Sequence, residues 1–179
     1  VLSSNKKPFT AIIGGAKISS KIDVLFSLLN KVDSLIVGGG MVYTFIKSMG
    51  GNVGNSLVEE DKLSVALEIV EKAKSLGVKL LLPIDSINSK EFNNDSDIEL
   101  SDIRSINSNY MGLDIGKETV DLFSKEIKRS KTIIWNGPMG VFEMSNFQNG
   151  TKKIGEAVAD ATKSGAFSLV GGGDSAAAI

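Results

Sequence analysis

The side chains available for chemistry form a restricted set. The 179 residues include no histidine and no cysteine, which excludes Ser-His-Asp triads, histidine general bases, thiolate metal sites and disulfides. What remains is lysine, carboxylates, hydroxyls, backbone N–H groups and a hard cation, an inventory suited to phosphate. Lys17 and Lys21 stand four apart, a spacing that puts both on one face of the first turns of a helix. Ammonium groups there oppose the helix dipole by roughly 0.3–1 kcal/mol each, a conflict that a bound anion removes. Asp174 and Ser175 follow three glycines at a strand-to-helix junction. The two residue types are ordinary helix caps; they also suit Mg²⁺ on a nucleotide phosphate and the phosphate oxygens themselves.

These residues sit where strands end in glycine. Thr132–Trp135 is a short apolar run that breaks into Asn136-Gly137-Pro138-Met139-Gly140, followed by Val141, Phe142 and Glu143. Glycines permit positive φ and close approach to the backbone, and proline fixes the path between them. Phe9–Ile13 leads in the same way into Gly14-Gly15-Ala16-Lys17. Ser34–Val37 leads into Gly38-Gly39-Gly40, and Ala166–Val170 into Gly171-Gly172-Gly173. Four such turns predict one crevice at the carboxyl edge of a sheet, the usual ligand position in open α/β folds.

The intervening segments supply the helices. Ile18, Ile22, Leu25, Leu29 and Val32 recur at helical spacing, and Met41–Met49 is a second helix. Gly50–Asn55 reads as a loop. Leu63, Leu67 and Val70 mark a helix that ends by Gly77, and Lys79–Leu82 the next strand. The polar stretch Asp85–Asn109 reads as a solvent-facing antiparallel flap or a long loop. Tyr110–Ile115 re-enters the core, Lys117–Arg129 is a charged surface helix, and Thr151–Lys163 turns Ile154, Val158 and Ala161 inward. Alternating strands and helices predict one α/β domain over residues 1–179, a parallel sheet covered on both faces.

The net charge of −1 and the lack of a basic cluster speak against nucleic acid. No apolar run nears the ~20 residues of a membrane span, and no secretory leader is visible. Monomeric, cytoplasmic protein is the expectation. The chain begins without Met and stops as a helix starts, so we expect a fragment of a longer polypeptide. Standard phosphate loops do not fit. Gly112–Glu118 is one residue short of G-x-x-x-x-G-K-[ST], and Gly38–Tyr43 lacks the third glycine of the dinucleotide fingerprint. A nucleotide-binding module without catalysis and a dinucleotide domain of dehydrogenase type are the competing readings.

Five motifs, in order and in register, resemble the C-terminal nucleotide-binding domain of phosphoglycerate kinases. They are Gly14-Gly15-Ala16-Lys17-x-Ser19-x-Lys21, Gly38-Gly39-Gly40-Met41-x-Tyr43-Thr44-Phe45, Met111–Gly116, Trp135–Glu143 and Gly171–Ser175. The resemblance covers essentially the whole chain and implies a Rossmann-like three-layer fold. It further implies MgATP or MgADP as ligand, and 3-phosphoglycerate bound through an N-terminal domain. On the same basis Lys17 and Gly173 attend the phosphoryl group in transfer. Gly15, Ala16 and Pro138 bind the nucleotide, and Lys21, Asn136, Gly172, Gly173 and Ser175 belong to its phosphates. Gly38, Gly39, Gly40, Leu57, Gly112, Leu113 and Val141 form the adenine slot, Glu143 takes the ribose, and Asp174 is the Mg²⁺ ligand. Ser20 departs from the family's frequent Asp near the metal, and Ser175 from its frequent Thr.

Overall fold

The computed structural model describes residues 6–173. Its centre is a parallel sheet of β1 (Phe9–Ile13), β2 (Ser34–Val37), β4 (Lys79–Leu81), β9 (Thr132–Asn136) and β10 (Phe167–Gly171), in the order β10-β9-β1-β2-β4. These strands are short apolar runs because both faces are covered. On β1, Phe9, Ala11 and Ile13 face one core and Ile12 faces the other. The first core is closed by α1 (Ile22–Leu29), α2 (Val42–Ser48) and α3 (Leu63–Ser75), the second by α4 (Lys117–Arg129) and α5 (Asn149–Lys163). Trp135, fully buried on β9, packs with Phe123, Ile127 and Ile154 in the second core.

Several expectations need correction. Lys17 and Lys21 do not share a helical face. Lys17 is extended (φ −126°, ψ 129°) before a single 3₁₀ turn, Ile18–Ser20, and Lys21 precedes α1. The apolar periodicity ran through the 3₁₀ turn because Ile18 is buried with the rest. The inward face of α3 is Ala66, Ile69 and Ala73, while Leu67 is exposed. The Gly50–Asn55 loop contains β3 (Asn52–Val53), which pairs in parallel with β7 (Ser105–Ile106).

Within Asp85–Asn109, β5 (Asp85–Ser89) and β6 (Ile98–Asp102) form the antiparallel flap, but β5 is not solvent-facing. Asp85, Ser86, Asn88 and Ser89 are buried, whereas Ile98 and Leu100 point outward. β8 (Met111–Ile115) pairs antiparallel with β5 in this second sheet, order β6-β5-β8, and not with the central one.

Candidate nucleotide-binding site

Chain direction across the central sheet reverses between β1 and β9. From β1 the chain moves to β2, and from β9 to β10 on the opposite side. A crevice opens where the strand order reverses, and all four glycine turns meet along it. Gly14 N donates to Asn136 O (2.8 Å), Gly15 N to Pro138 O (3.2 Å), Gly39 N to Met139 O (3.1 Å) and Met41 N to Gly15 O (3.1 Å). This backbone-on-backbone packing dictates the glycines. A Cβ on Gly14 would lie 2.0 Å from Pro138 O, and Gly137 and Gly39 adopt φ of 92° and 74°.

Two recesses open along this seam. The larger, about 530 Å³, is a mostly apolar slot. Gly39, Gly40, Tyr43, Leu57, Phe92, Met111, Gly112, Leu113, Gly140, Val141 and Met144 line it, with Glu143 exposed among them. Gly112 can be nothing larger, because its Cβ would fall 2.0 Å from the Tyr43 hydroxyl. That hydroxyl shares a buried hydrogen bond with Ser86 Oγ (3.0 Å), and burial drives its pKa far up. The second recess, about 350 Å³, is polar and lined by Gly14, Ser20, Lys21, Asn136, Gly137, Gly172 and Gly173. Gly15, Ala16 and Pro138 line both recesses, so the slot runs into the polar end. Lys21 Nζ donates to Asn136 Oδ1 (2.7 Å), which turns a cation toward that end.

Carboxylates from distant segments fix the surrounding helix starts. Glu59 Oε2 accepts from Ser19 N (3.1 Å), and Glu59 N is held by Thr44 Oγ1 (3.1 Å). Although desolvation works against it, hydrogen bonds from Ser19 and Ile18 keep the Glu59 carboxyl below its ordinary pKa. The anion that the helix dipole calls for therefore comes, at this turn, from the protein itself. Asp85 accepts from Glu118 N and Thr119 N (both 2.9 Å) and from the Thr119 hydroxyl at the start of α4. Asp114 accepts from Gly150 N (2.8 Å) in the first turn of α5 and from Ile115 N (2.9 Å). Burial pushes Asp114 up from 3.8 to about 7, against the pull of those two N–H groups.

The predicted residues separate clearly. Gly15, Ala16, Gly39, Gly40, Leu57, Gly112, Leu113, Pro138, Val141 and Glu143 line the slot, and Lys21, Asn136, Gly172 and Gly173 the polar recess. Gly38 lies behind the wall, with its missing Cβ 2.4 Å from Met139 Sδ. Lys17 is exposed and lines neither recess. Asp174 and Ser175 lie outside the described residues. Sequence reading missed Tyr43, Phe92, Met111 and Met144; Tyr43 and Met111 stood inside quoted motifs, but nothing local distinguishes Phe92.

The fold thus defines a parallel α/β domain with a crevice at its topological switch point, the usual ligand position in such folds. The family model described as phosphoglycerate kinase matches residues 1–179, and the chain belongs to the phosphoglycerate kinase family. Over 173 residues it is 57% identical to the phosphoglycerate kinase of Chloroherpeton thalassium, covering 97% of this chain and 44% of that one. The corresponding protein of Porphyromonas gingivalis is 52% identical over 179 residues, covering 100% and 43%. The structure of phosphoglycerate kinase from Coxiella burnetii superposes with a TM-score of 0.95 at 43% identity, over 99% of this chain and 45% of that one. That from Pyrococcus horikoshii OT3 gives 0.84 at 29%, with the same coverage. The chain therefore spans less than half the length of the relatives it matches. Among the described residues no helix is long and apolar enough to cross a membrane.

Proposed function

We propose that this chain is the nucleotide-binding part of a kinase that moves a phosphoryl group between ATP and 3-phosphoglycerate. One observation carries the reading: an apolar slot of about 530 Å³, roomy enough for a nucleobase and its sugar, runs, across Gly15, Ala16 and Pro138, into a polar recess that presents Lys21. The base takes the slot, Glu143 at its edge takes the ribose hydroxyls, and the phosphates extend toward Lys21, Asn136, Gly172 and Gly173. The acceptor, 3-phosphoglycerate, is held by a part of the polypeptide beyond these residues.

In the forward direction a carboxylate oxygen of 3-phosphoglycerate attacks the γ-phosphorus. The bond from phosphorus to the β,γ-bridging oxygen breaks, and ADP leaves with that electron pair. The nucleophile is already ionised, so no proton is abstracted, and a site without histidine is adequate. Catalysis is then positioning and charge stabilisation. Lys21, steadied by Asn136, neutralises the nucleotide phosphates. Lys17 meets the phosphoryl group in transfer, and Gly173 leaves backbone room beside it.

Mg²⁺ accompanies nucleotide phosphates and needs only one or two protein carboxylates. Asp174, directly after Gly173 in sequence, is the carboxylate we assign to it; an ion bound there would supply charge neutralisation.

Calorimetric titration with MgADP tests the reading. Saturable binding at submillimolar to millimolar nucleotide is expected, with no comparable competition from NADH. Absence of heat and of thermal protection at millimolar MgADP would remove the assignment. Competition by NADH would favour the dinucleotide alternative.

A further inference from the structure

We propose that Asn94 is a positioning residue that holds Phe92 in place as a wall of the base slot, and so contributes affinity for the nucleobase but not for the phosphates. The inference rests on the nucleotide reading above. Phe92 lines the slot although 63% of it is exposed, so packing alone does not fix its ring. It rides on the turn between β5 and β6, a polar segment whose residues could otherwise swing away from the slot.

Asn94 ties that turn down. Its Oδ1 accepts from Asn146 N (2.9 Å) and Ser145 Oγ (3.2 Å), and its backbone O accepts from Asn146 Nδ2 (2.7 Å). The far end of the tie is anchored. Ser145, Asn146 and Phe147 form one 3₁₀ turn, and Phe147 is fully buried. Met144, just before that turn, lines the same slot. A chain of contacts thus runs from the core through Phe147, Asn146 and Asn94 to Phe92, so both sides of this part of the slot keep one spacing. Within the turn, Glu91 N donates to Ser96 Oγ (3.0 Å) and Asp95 N to Asn93 Oδ1 (3.0 Å), which makes the tip stiff enough to transmit the hold. A flat aromatic wall suits one class of ligand group, a nucleobase face. Ordering the ring before binding removes an entropic cost that an untied ring would meet on association.

The test separates base from phosphate by titrating the protein with MgADP and with inorganic tripolyphosphate. Aromatic stacking on a base, at about 1–3 kcal/mol per ring, corresponds to roughly a 5- to 150-fold loss of MgADP affinity for Phe92→Ala. Asn94→Ala is expected to lose a smaller part, roughly three- to tenfold. Tripolyphosphate binding is expected to stay unchanged in both. Asn94→Asp keeps the Oδ1 acceptor but gives up the Nδ2–H that Asn94 donates to Asp95 Oδ1 (3.2 Å) and places a second carboxylate beside it, so it should recover part of the selective loss. Asn94→Ala added to Phe92→Ala should cost nothing further, because the two act as one unit.

Unchanged MgADP affinity in Asn94→Ala would overturn the proposal. So would equal weakening of both ligands, or an undiminished effect in the Phe92→Ala background. If the unaltered protein binds no MgADP at all, the nucleotide reading itself has failed. If it binds MgADP and Asn94→Ala binds it as tightly as the unaltered protein does, only the role of Asn94 is overturned.

Discussion

Gly14→Ala is the sharpest probe of the seam between the two halves of the sheet. Gly14 has no positive φ, so alanine meets no backbone strain there, and its effect is purely one of space. The added methyl would lie 2.0 Å from Pro138 O and 2.5 Å from Gly137 O, both main-chain atoms that no rotamer change can move. Relief from 2.0 Å to an ordinary contact of 3.4 Å requires the β1 and β9 turns to part by about 1.4 Å, and that stretches Gly14 N–Asn136 O and Gly15 N–Pro138 O past hydrogen-bonding geometry. Overpacking costs about 1–3 kcal/mol and each lost hydrogen bond about 0.5–1.5 kcal/mol. We therefore expect a loss of about 3 kcal/mol, or a fall of about 6–12 °C in melting temperature for a chain of this size. Calorimetric and urea unfolding measure it. Gly171→Ala is the control, since its Cβ meets nothing nearer than Asn136 Nδ2 at 3.7 Å. Because the same turns floor both recesses, Gly14→Ala should weaken MgADP binding as well. A Gly14→Ala protein within about 0.5 kcal/mol of the parent, with intact MgADP affinity, would refute the packing argument.

Lys21→Ala should weaken MgADP binding by roughly 1–3 kcal/mol, the scale for a hydrogen bond from a charged group, as read by calorimetry; untouched affinity would make Lys21 structural. Lys17→Ala, in a kinase chain with the relatives' full length, should lower kcat by at least ~10²-fold while MgADP affinity shifts less than in Lys21→Ala; near-normal kcat places the charge elsewhere. Asp114 makes a pH prediction. Its carboxyl is raised to about 7 in the folded state from 3.8, so its contribution to stability is fully present below pH 3.8 and is lost as pH rises through about 7. That linkage is worth at most roughly 4 kcal/mol, and Asp114→Asn should flatten the slope of unfolding free energy between pH 4 and 7; an unchanged slope would show that Asp114 titrates normally.

The strands and their glycine turns were legible because both signals are local: an apolar run of a few residues, then residues that tolerate close backbone approach. The helix starts were not. No helix in the described part is capped by a side chain of its own N-cap residue. α4 takes Asp85, α5 takes Asp114, and the turn after Lys17 takes Glu59, each from 33 to 40 positions away in sequence. A capping signal at that separation has no sequence pattern. The same holds for β5, whose buried polar residues read as surface because the partners of Asp85 (Thr119) and of Asn88 Nδ2 (Ser101) lie on other elements. Phe92 escaped for the converse reason: one aromatic in a polar turn looks incidental until the fold brings it beside Met111 and Leu113.

These long-range carboxylates also bear on how the proposed site works. The seam formed by Gly14, Gly15, Gly39, Gly137 and Pro138 is main chain locked to main chain, so the base slot and the phosphate recess are as rigid as the sheet that carries them. Lys21 is fixed in turn by Asn136. Lys17 differs: it is exposed, its backbone is extended, and its turn is steadied from Glu59 rather than by helix packing. A residue that only binds nucleotide gains from rigidity, since ordering has been completed before the ligand arrives. A residue that acts on a phosphoryl group in transfer has to be in place only once the acceptor is present. The contrast between a fixed Lys21 and an outlying Lys17 is the distribution expected if one serves ground-state binding and the other the transition state. The two substitutions should therefore divide between affinity and kcat rather than lower both together.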